Sequence, residues 1–118
     1  MKYKTCVSIA ENSPKKIKIK LGTALKKSDY VEVRLDFLRI EQIPDALEII
    51  KKDLGKIVCT LRPTNEGGKF SGNEKERISI IKLIAEYNPF LLDIEFNTLK
   101  KNKELAKYLK STKTKLLI

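Results

Sequence analysis

The order of apolar residues along the chain is the feature that most restricts its fold. Short runs rich in β-branched and apolar residues alternate with segments in which apolar residues recur every three or four positions. Each short run predicts a β-strand, and each intervening segment predicts a helix. The five runs are "TCVSIA" from Thr5, "YVEVRLDFL" from Tyr30, "KIVCTLRP" from Lys56, "FLLDIEF" from Phe90 and "KLLI" from Lys115.

The four segments between these runs have the spacing of amphipathic helices. Ser13 with Pro14, and Asn73, stand where the first and third helices would begin, because such residues favour the start of a helix. The apolar residues that set the spacing are Ile17, Leu21, Ala24 and Leu25; Ile43, Leu47, Ile50 and Leu54; Ile78, Ile81, Ile84 and Ala85; and Leu99, Leu105 and Leu109. This order predicts parallel strands, either in an open doubly wound sheet or in part of a (β/α)₈ barrel.

Polar and apolar residues also alternate within the strands. Glu32, Arg34 and Asp36 alternate with apolar residues in "VEVRLD". On the first strand, Cys6 and Ser8 lie opposite Val7 and Ile9. On the third strand, the more polar face with Val58, Thr60 and Arg62 lies opposite Cys59 and Leu61. On the fourth strand, Asp93 and Glu95 lie opposite Leu92, Ile94 and Phe96. Strands of a doubly wound sheet are buried on both faces and apolar throughout, so the alternation favours a barrel with polar faces inward. A sheet with one face in water is the alternative.

Chemistry in such a barrel lies at the carboxyl ends of the strands and in the loops that follow. The polar residues near these ends are Ser8, Arg34, Asp36, Arg62 and Glu95. If they are enclosed, their charges must pair with one another or with a polar ligand. The loop "RPTNEGGKFSGN" follows the third strand, and its glycines are compatible either with a lid over a ligand or with a plain surface loop.

Composition narrows the function. The 118 residues are enough for one domain, residues 1–118, and the net charge of +10 suggests nucleic acid or a small anion as partner. The lysines are spread along helix faces without an aromatic basic stripe, which argues against nucleic acid. The chain has no histidine and no paired cysteines, which disfavours a metal site, and Cys6 and Cys59 are expected to be buried thiols. No apolar run reaches the roughly 18 residues of a membrane span, so we expect a cytoplasmic protein.

Three motifs together resemble one enzyme family. "EVRLD" on the second strand, "TLRPTNEGGKFSG" after the third and "LLDIEF" on the fourth are similar to type I 3-dehydroquinate dehydratase, a (β/α)₈ barrel enzyme of the shikimate pathway. The resemblance covers essentially the whole chain, as about the first four βα units plus strand five. It implies a lyase that converts 3-dehydroquinate to 3-dehydroshikimate through a Schiff base on a lysine. A histidine moves the protons in that family, and no metal or organic cofactor is needed.

The resemblance also implies roles for single residues. The residues that match substrate-contacting positions are Ser8, Glu32, Arg34 and Arg62, and the supporting acids are Glu66 in the loop and Asp93 beside the catalytic histidine. Asp36 is expected to be a structural partner of Arg34.

No catalytic residue is identifiable from the resemblance within this chain. The family's histidine and lysine lie after strand five and on strand six, which places both beyond Ile118. Lys69 is a poor substitute for that lysine, because a mobile loop lysine is not desolvated into a nucleophile.

We therefore expect this sequence to correspond to the amino-terminal half of a barrel and to be inactive alone. The expected partners are the small-molecule substrate 3-dehydroquinate and a second copy, through self-association or homodimerisation at exposed barrel edges. Neither nucleic acid nor a membrane is an expected partner. The alternative function is a non-catalytic half-barrel that binds a polyhydroxy carboxylate without reacting with it.

Overall fold

All five predicted strands are present in one parallel sheet. The computed structural model of the protein describes residues 5–118. The strands are β1 (Cys6–Ile9), β2 (Tyr30–Arg34), β3 (Ile57–Thr60), β4 (Leu91–Asp93) and β5 (Leu116–Leu117). Each strand pairs with the next in the chain, in the order β1-β2-β3-β4-β5. A doubly wound sheet reverses its strand order at a switch point, whereas consecutive order is that of a barrel wall.

Two of the helices begin at the predicted signals, Ser13 with Pro14 and Asn73. The helices are α1 (Pro14–Ala24), α2 (Ile43–Ile50), α3 (Glu74–Glu86), α4 (Phe96–Lys101) and α5 (Lys103–Ser111). Ser13 caps α1, and Asn73 forms a reciprocal capping box with Glu76 at the start of α3. The fourth predicted helix is two helices, because the backbone of Asn102 leaves the helical region and its amide donates to the carbonyl of Thr98. Among residues 5–118, no helix is long and apolar enough to cross a bilayer.

The apolar face of the sheet packs against the helices as predicted. Val31, Val33, Cys59 and Leu92 on this outer face are fully buried. Burial raises the pKa of the Cys59 thiol to about 12, so the thiol stays protonated. The prediction for Cys6 is wrong, because its thiol is exposed on the edge strand β1.

Two strands end earlier than their alternation suggests. β2 ends at Arg34, and Leu35–Phe37 forms a 3₁₀ turn in which Asp36 is only 1% exposed. β4 ends at Asp93, so Phe96 begins α4 and is 68% exposed instead of lying on the apolar face. The period of two applies only while the backbone is extended, so the 3₁₀ turn after Arg34 and the start of α4 at Phe96 end the alternation.

Candidate functional site

The inner face, defined as the side of the sheet opposite the helices, collects polar side chains from neighbouring strands. Ser8 pairs in register with Glu32, and Thr60 pairs with Asp93. Arg62 lies two residues beyond Thr60, and its guanidinium reaches Asp93 on this same face. The predicted convergence of polar side chains on one side of the sheet is therefore present in the structure.

These side chains form a continuous set of hydrogen bonds, which we call the inner-face chain (Ser8, Glu32, Thr60, Asp93 and Arg62). The Ser8 hydroxyl donates to Glu32 Oε1 at 2.6 Å, and the Thr60 hydroxyl donates to Glu32 Oε2 at 2.6 Å. Thr60 Oγ1 also lies 3.4 Å from Asp93 Oδ2, to which Arg62 Nη2 donates at 2.6 Å. The chain joins β1 through β4 and brings two acids and one guanidinium within reach of one ligand.

Asp93 is the acid of this chain whose protonation is most perturbed. Burial raises the pKa of its carboxyl group, and the negative charges of Glu95 and Glu32 raise it further. The positive charge and the hydrogen bond of Arg62 act in the opposite direction but do not outweigh these effects. Asp93 therefore takes up a proton more readily than a free aspartate, as suits a group that exchanges protons with its surroundings.

Arg34 and Asp36 form a second inner-face element beside the chain. Arg34 Nε and Nη2 donate to the two carboxylate oxygens of Asp36 at 3.0 and 2.8 Å. The hydrogen bonding of Arg34 to the carboxylate of Asp36 is the main reason that the pKa of Arg34 is raised. Asp36 therefore occupies this edge of the Arg34 guanidinium. The guanidinium of Arg62 is bonded through Nη2 alone, so it is the better placed of the two to bind a ligand carboxylate.

The loop after β3 packs against the residues that follow β2 and β3, and it does not stand free as a lid or a flexible surface loop. The Gly68 N–H donates to the carbonyl of Pro63 at 2.9 Å, and the Phe70 N–H donates to the carbonyl of Arg62 at 3.2 Å. The Lys69 N–H donates to Asp36 Oδ2 at 3.0 Å. Phe70 is buried. Asp36 therefore binds both Arg34 and the backbone of this loop.

Glu66 and Glu95 do not join the inner-face chain. Glu66 is exposed, and within residues 5–118 its side chain makes no hydrogen bond or ion pair. Glu95 follows the end of β4, where its carboxylate turns towards Arg77 Nη1 at 3.0 Å and Thr98 Oγ1 at 3.1 Å. Of the predicted polar residues, Glu95 thus belongs to the contact between the sheet and the helices.

The inner-face chain does not supply the lysine and histidine that the resemblance implies for catalysis. Its five members carry carboxylates, hydroxyls and a guanidinium, and none of them is an amine or an imidazole. Ile118, beyond which the catalytic pair is expected, follows β5 and is 69% exposed. Because its side chain is apolar, Ile118 is not itself a site residue, and the position of the catalytic pair stays a prediction.

Arg77 is the residue that the sequence interpretation missed. It lies on α3, is only 2% exposed, and donates to the Leu61 carbonyl at 3.0 Å and to Thr98 Oγ1 at 2.5 Å. A signal was present, because Arg77 continues the stripe of Ile81, Ile84 and Ala85 at helical spacing. An arginine on a buried stripe indicates a paired charge in the core.

The sequence is similar to those of one enzyme family. Residues 5–118 match the family model for type I 3-dehydroquinase. The 3-dehydroquinate dehydratase of Methanocaldococcus jannaschii is 33% identical over 120 residues, which cover 96% of this chain and 50% of that protein. The 3-dehydroquinate dehydratase of Desulfotalea psychrophila is 29% identical over 117 residues, with 98% and 50% covered.

Solved structures agree in fold. The 3-dehydroquinate dehydratase from Geobacillus kaustophilus superposes with a TM-score of 0.82 at 21% identity, over 98% of this chain and 49% of that one. The type I enzyme from Clostridium difficile, solved with covalently modified comenic acid, gives a TM-score of 0.79 at 24% identity over 96% and 48%. The chain thus has the fold of these barrels and spans about half the length of the relatives it matches.

Proposed function

The chain belongs to the type I 3-dehydroquinase family, and we propose that its inner face forms part of the substrate-binding wall of a 3-dehydroquinate dehydratase. The inner-face chain is the observation that carries this proposal. It holds two carboxylates and a guanidinium at the carboxyl ends of adjacent parallel strands, where barrel enzymes bind their substrates. A purely structural wall at this position would be filled by apolar side chains.

The proposed roles follow from donor and acceptor chemistry. Arg62 offers the free part of its guanidinium to the substrate carboxylate, and Arg34 adds positive charge beside it. Glu32 accepts hydrogen bonds from the substrate hydroxyls, and Ser8 donates to them, at the exposed end of the inner-face chain. Asp93, with its raised pKa, is the acid that supports proton transfer in this part of the pocket.

We propose that these 118 residues bind the substrate without converting it. Dehydration through a Schiff base needs a lysine amine that attacks the ketone and a group that moves protons between the substrate and water. The sequence contains no histidine. Lys69 follows Gly68 in the β3 loop and is exposed, so its amine lies towards solvent and not in an apolar pocket that would activate it as a nucleophile.

Replacing Arg62 by alanine should weaken binding of 3-dehydroquinate at least about tenfold, the effect of losing a hydrogen bond between two charged groups. Isothermal titration of the folded chain with 3-dehydroquinate measures this change, with folding of each variant checked by circular dichroism. Arg39→Ala is the matched control, because the Arg39 side chain is 74% exposed and, within residues 5–118, its ion pair is with the exposed Glu41. Equal losses in both variants would refute a specific role for Arg62.

Borohydride reduction tests whether this chain itself forms an imine with the substrate. A lysine imine becomes a stable covalent adduct on reduction, which mass spectrometry detects. We expect saturable binding without an adduct on this chain. An adduct on Lys69 would overturn our assignment of the chain as non-catalytic, and absence of saturable binding would refute both the substrate wall and a non-catalytic binding half-barrel.

We further propose that the chain self-associates through the edges of its sheet. β1 and β5 are the edge strands of the sheet. Apolar side chains are exposed at both edges: Val7 in β1 is 43% exposed, Ile19 in α1 is 63% exposed and Leu117 in β5 is 45% exposed. A cavity of about 420 Å³ lies between β1 and α1. A parallel sheet edge with exposed apolar side chains beside it favours pairing with a further strand. A second copy of the chain supplies such a strand when its free sheet edge meets β1.

Sedimentation velocity should show a sedimentation coefficient that rises with protein concentration. Val7→Lys places a charge on the apolar flank of β1 and should shift the population towards monomer. Ile49→Lys is the matched control, since Ile49 is 39% exposed on α2, away from both sheet edges. A dispersed monomer at every concentration of the unmodified chain would contradict self-association.

A further inference from the structure

Thr60 is the one fully buried polar member of the inner-face chain. It is 0% exposed, at the end of β3, and pairs in register with Arg34 on one side and Asp93 on the other. Ser8, the other hydroxyl donor to Glu32, is exposed on the edge strand β1. The two donors to one carboxylate thus differ in their access to water and ligand.

The hydroxyl of Thr60 has one proton and two acceptor lone pairs. At 2.6 Å from Glu32 Oε2, this proton is committed to Glu32. Asp93 Oδ2, at 3.4 Å from the same oxygen, therefore faces a lone pair of Thr60. An ionised Asp93 gains no hydrogen bond there, whereas a protonated Asp93 can donate to Thr60.

We propose that Thr60 is a positioning residue that holds Glu32 Oε2 in the wall and leaves Glu32 Oε1 as the oxygen that meets a ligand hydroxyl. This inference rests on the proposed function, because the ligand is the polyhydroxy carboxylate of that proposal. A ligand hydroxyl can replace the exposed Ser8 hydroxyl on Oε1, while the buried Thr60 hydroxyl keeps the carboxylate in place. The same hydroxyl gives a proton on Asp93 a direct path towards Glu32.

Other charged groups around Thr60 are consistent with this arrangement. Arg34 from β2 adds positive charge near Glu32, and Arg62 donates to Asp93 Oδ2, the same oxygen that faces Thr60. Glu95 adds negative charge near Asp93 from beyond β4. Within the described residues, Glu32 receives hydrogen bonds from two hydroxyls and from no cation, so hydroxyl geometry sets its orientation.

The test compares Thr60→Val, which removes the hydroxyl at similar volume, with Thr60→Ser, which retains it. The readout is the ¹³C resonance of the Glu32 side-chain carboxyl group in the ligand-free chain, assigned with Glu32→Gln. We expect this resonance to move in Thr60→Val and to return towards its original position in Thr60→Ser. Binding of 3-dehydroquinate should weaken about tenfold or more in Thr60→Val and by less than about threefold in Thr60→Ser, since one charge-assisted hydrogen bond is lost only in the former.

Ligand-free spectra keep this inference separate from the proposed function. If no variant binds 3-dehydroquinate but the Glu32 resonance responds to Thr60→Val and recovers in Thr60→Ser, Thr60 still positions Glu32 and the substrate assignment fails. If Thr60→Val does not fold, Thr60→Ser and the hydroxyl proton of Thr60 provide the test. This proton should exchange slowly with water, and its resonance should shift upfield in Glu32→Gln. An unchanged Glu32 resonance in folded Thr60→Val, or an unaltered hydroxyl proton in Glu32→Gln, overturns the inference.

Discussion

Gly68→Ala should lower the free energy of unfolding by about 3 kcal/mol or more, because the new methyl group overlaps backbone that cannot move independently. A Cβ atom at Gly68 would lie 2.0 Å from the carbonyl oxygen of Arg62 and 2.4 Å from its carbonyl carbon. The whole stability of such a domain is about 5–15 kcal/mol, so this single methyl removes a large share of it. Urea unfolding followed by circular dichroism measures the change.

The atoms that would have to shift also hold the site together. The Arg62 carbonyl accepts from the Phe70 N–H, and the neighbouring Pro63 carbonyl accepts from the Gly68 N–H itself. Displacing this backbone moves the Arg62 guanidinium away from Asp93. We therefore expect folded Gly68→Ala protein, if any is recovered, to bind ligand poorly as well.

Gly55→Ala is the matched control for this prediction. A Cβ atom at Gly55 meets nothing within 4 Å, and its backbone lies outside the left-handed region. The substitution should be neutral or stabilise the protein by up to about 1 kcal/mol, since alanine restricts the unfolded chain more than glycine does. Similar unfolding midpoints for the two variants would show that the loop does not pack against Arg62.

The fold was predictable because one physical constraint repeats through the chain. Parallel strands that bury one face against helices need apolar residues at every second position, and Val31, Val33, Cys59 and Leu92 satisfy that need. Strand order and the one-sided sheet follow from these positions. The pairing of Arg34 with Asp36 was also predicted, since a buried acid needs a cation nearby.

The parts that were not predictable depend on where extended backbone ends. Nothing in "EVRLDFL" or "LLDIEF" marks the turn after Arg34 or the start of α4 at Phe96, and an acid beside each of these points leaves the inner-face chain. Asp36 turns to the β3 loop, and Glu95 turns to α3. The packing of the loop was not predictable for a similar reason, since a glycine such as Gly68 indicates conformational freedom in the unfolded chain but makes tight backbone contact in the folded one.

Arg77→Met should be the second strongly destabilising substitution, at a cost of about 3–5 kcal/mol. Methionine fills much of the volume of arginine but leaves the carboxylate of Glu95 without a cation. That side chain is only 12% exposed, and Oε2 has no hydrogen-bond partner in the described part of the chain, so its charge already depends on Arg77 through Oε1. The Leu61 carbonyl and the Thr98 hydroxyl would lose a donor as well.

A double-mutant cycle identifies the source of that loss. In Arg77→Met with Glu95→Gln no buried charge of this ion pair is left without its partner, so the double variant should be at least about 1 kcal/mol more stable than the sum of the single effects predicts. Glu74→Gln is the control for the exposed partner of Arg77, since Glu74 is 57% exposed and should contribute less than about 1 kcal/mol. Additive single effects would mean that packing of the arginine stem, and not the charge of Glu95, makes Arg77 necessary. Arg77 donates to the carbonyl of Leu61, the residue before Arg62, so its loss should also loosen the wall from the helix side.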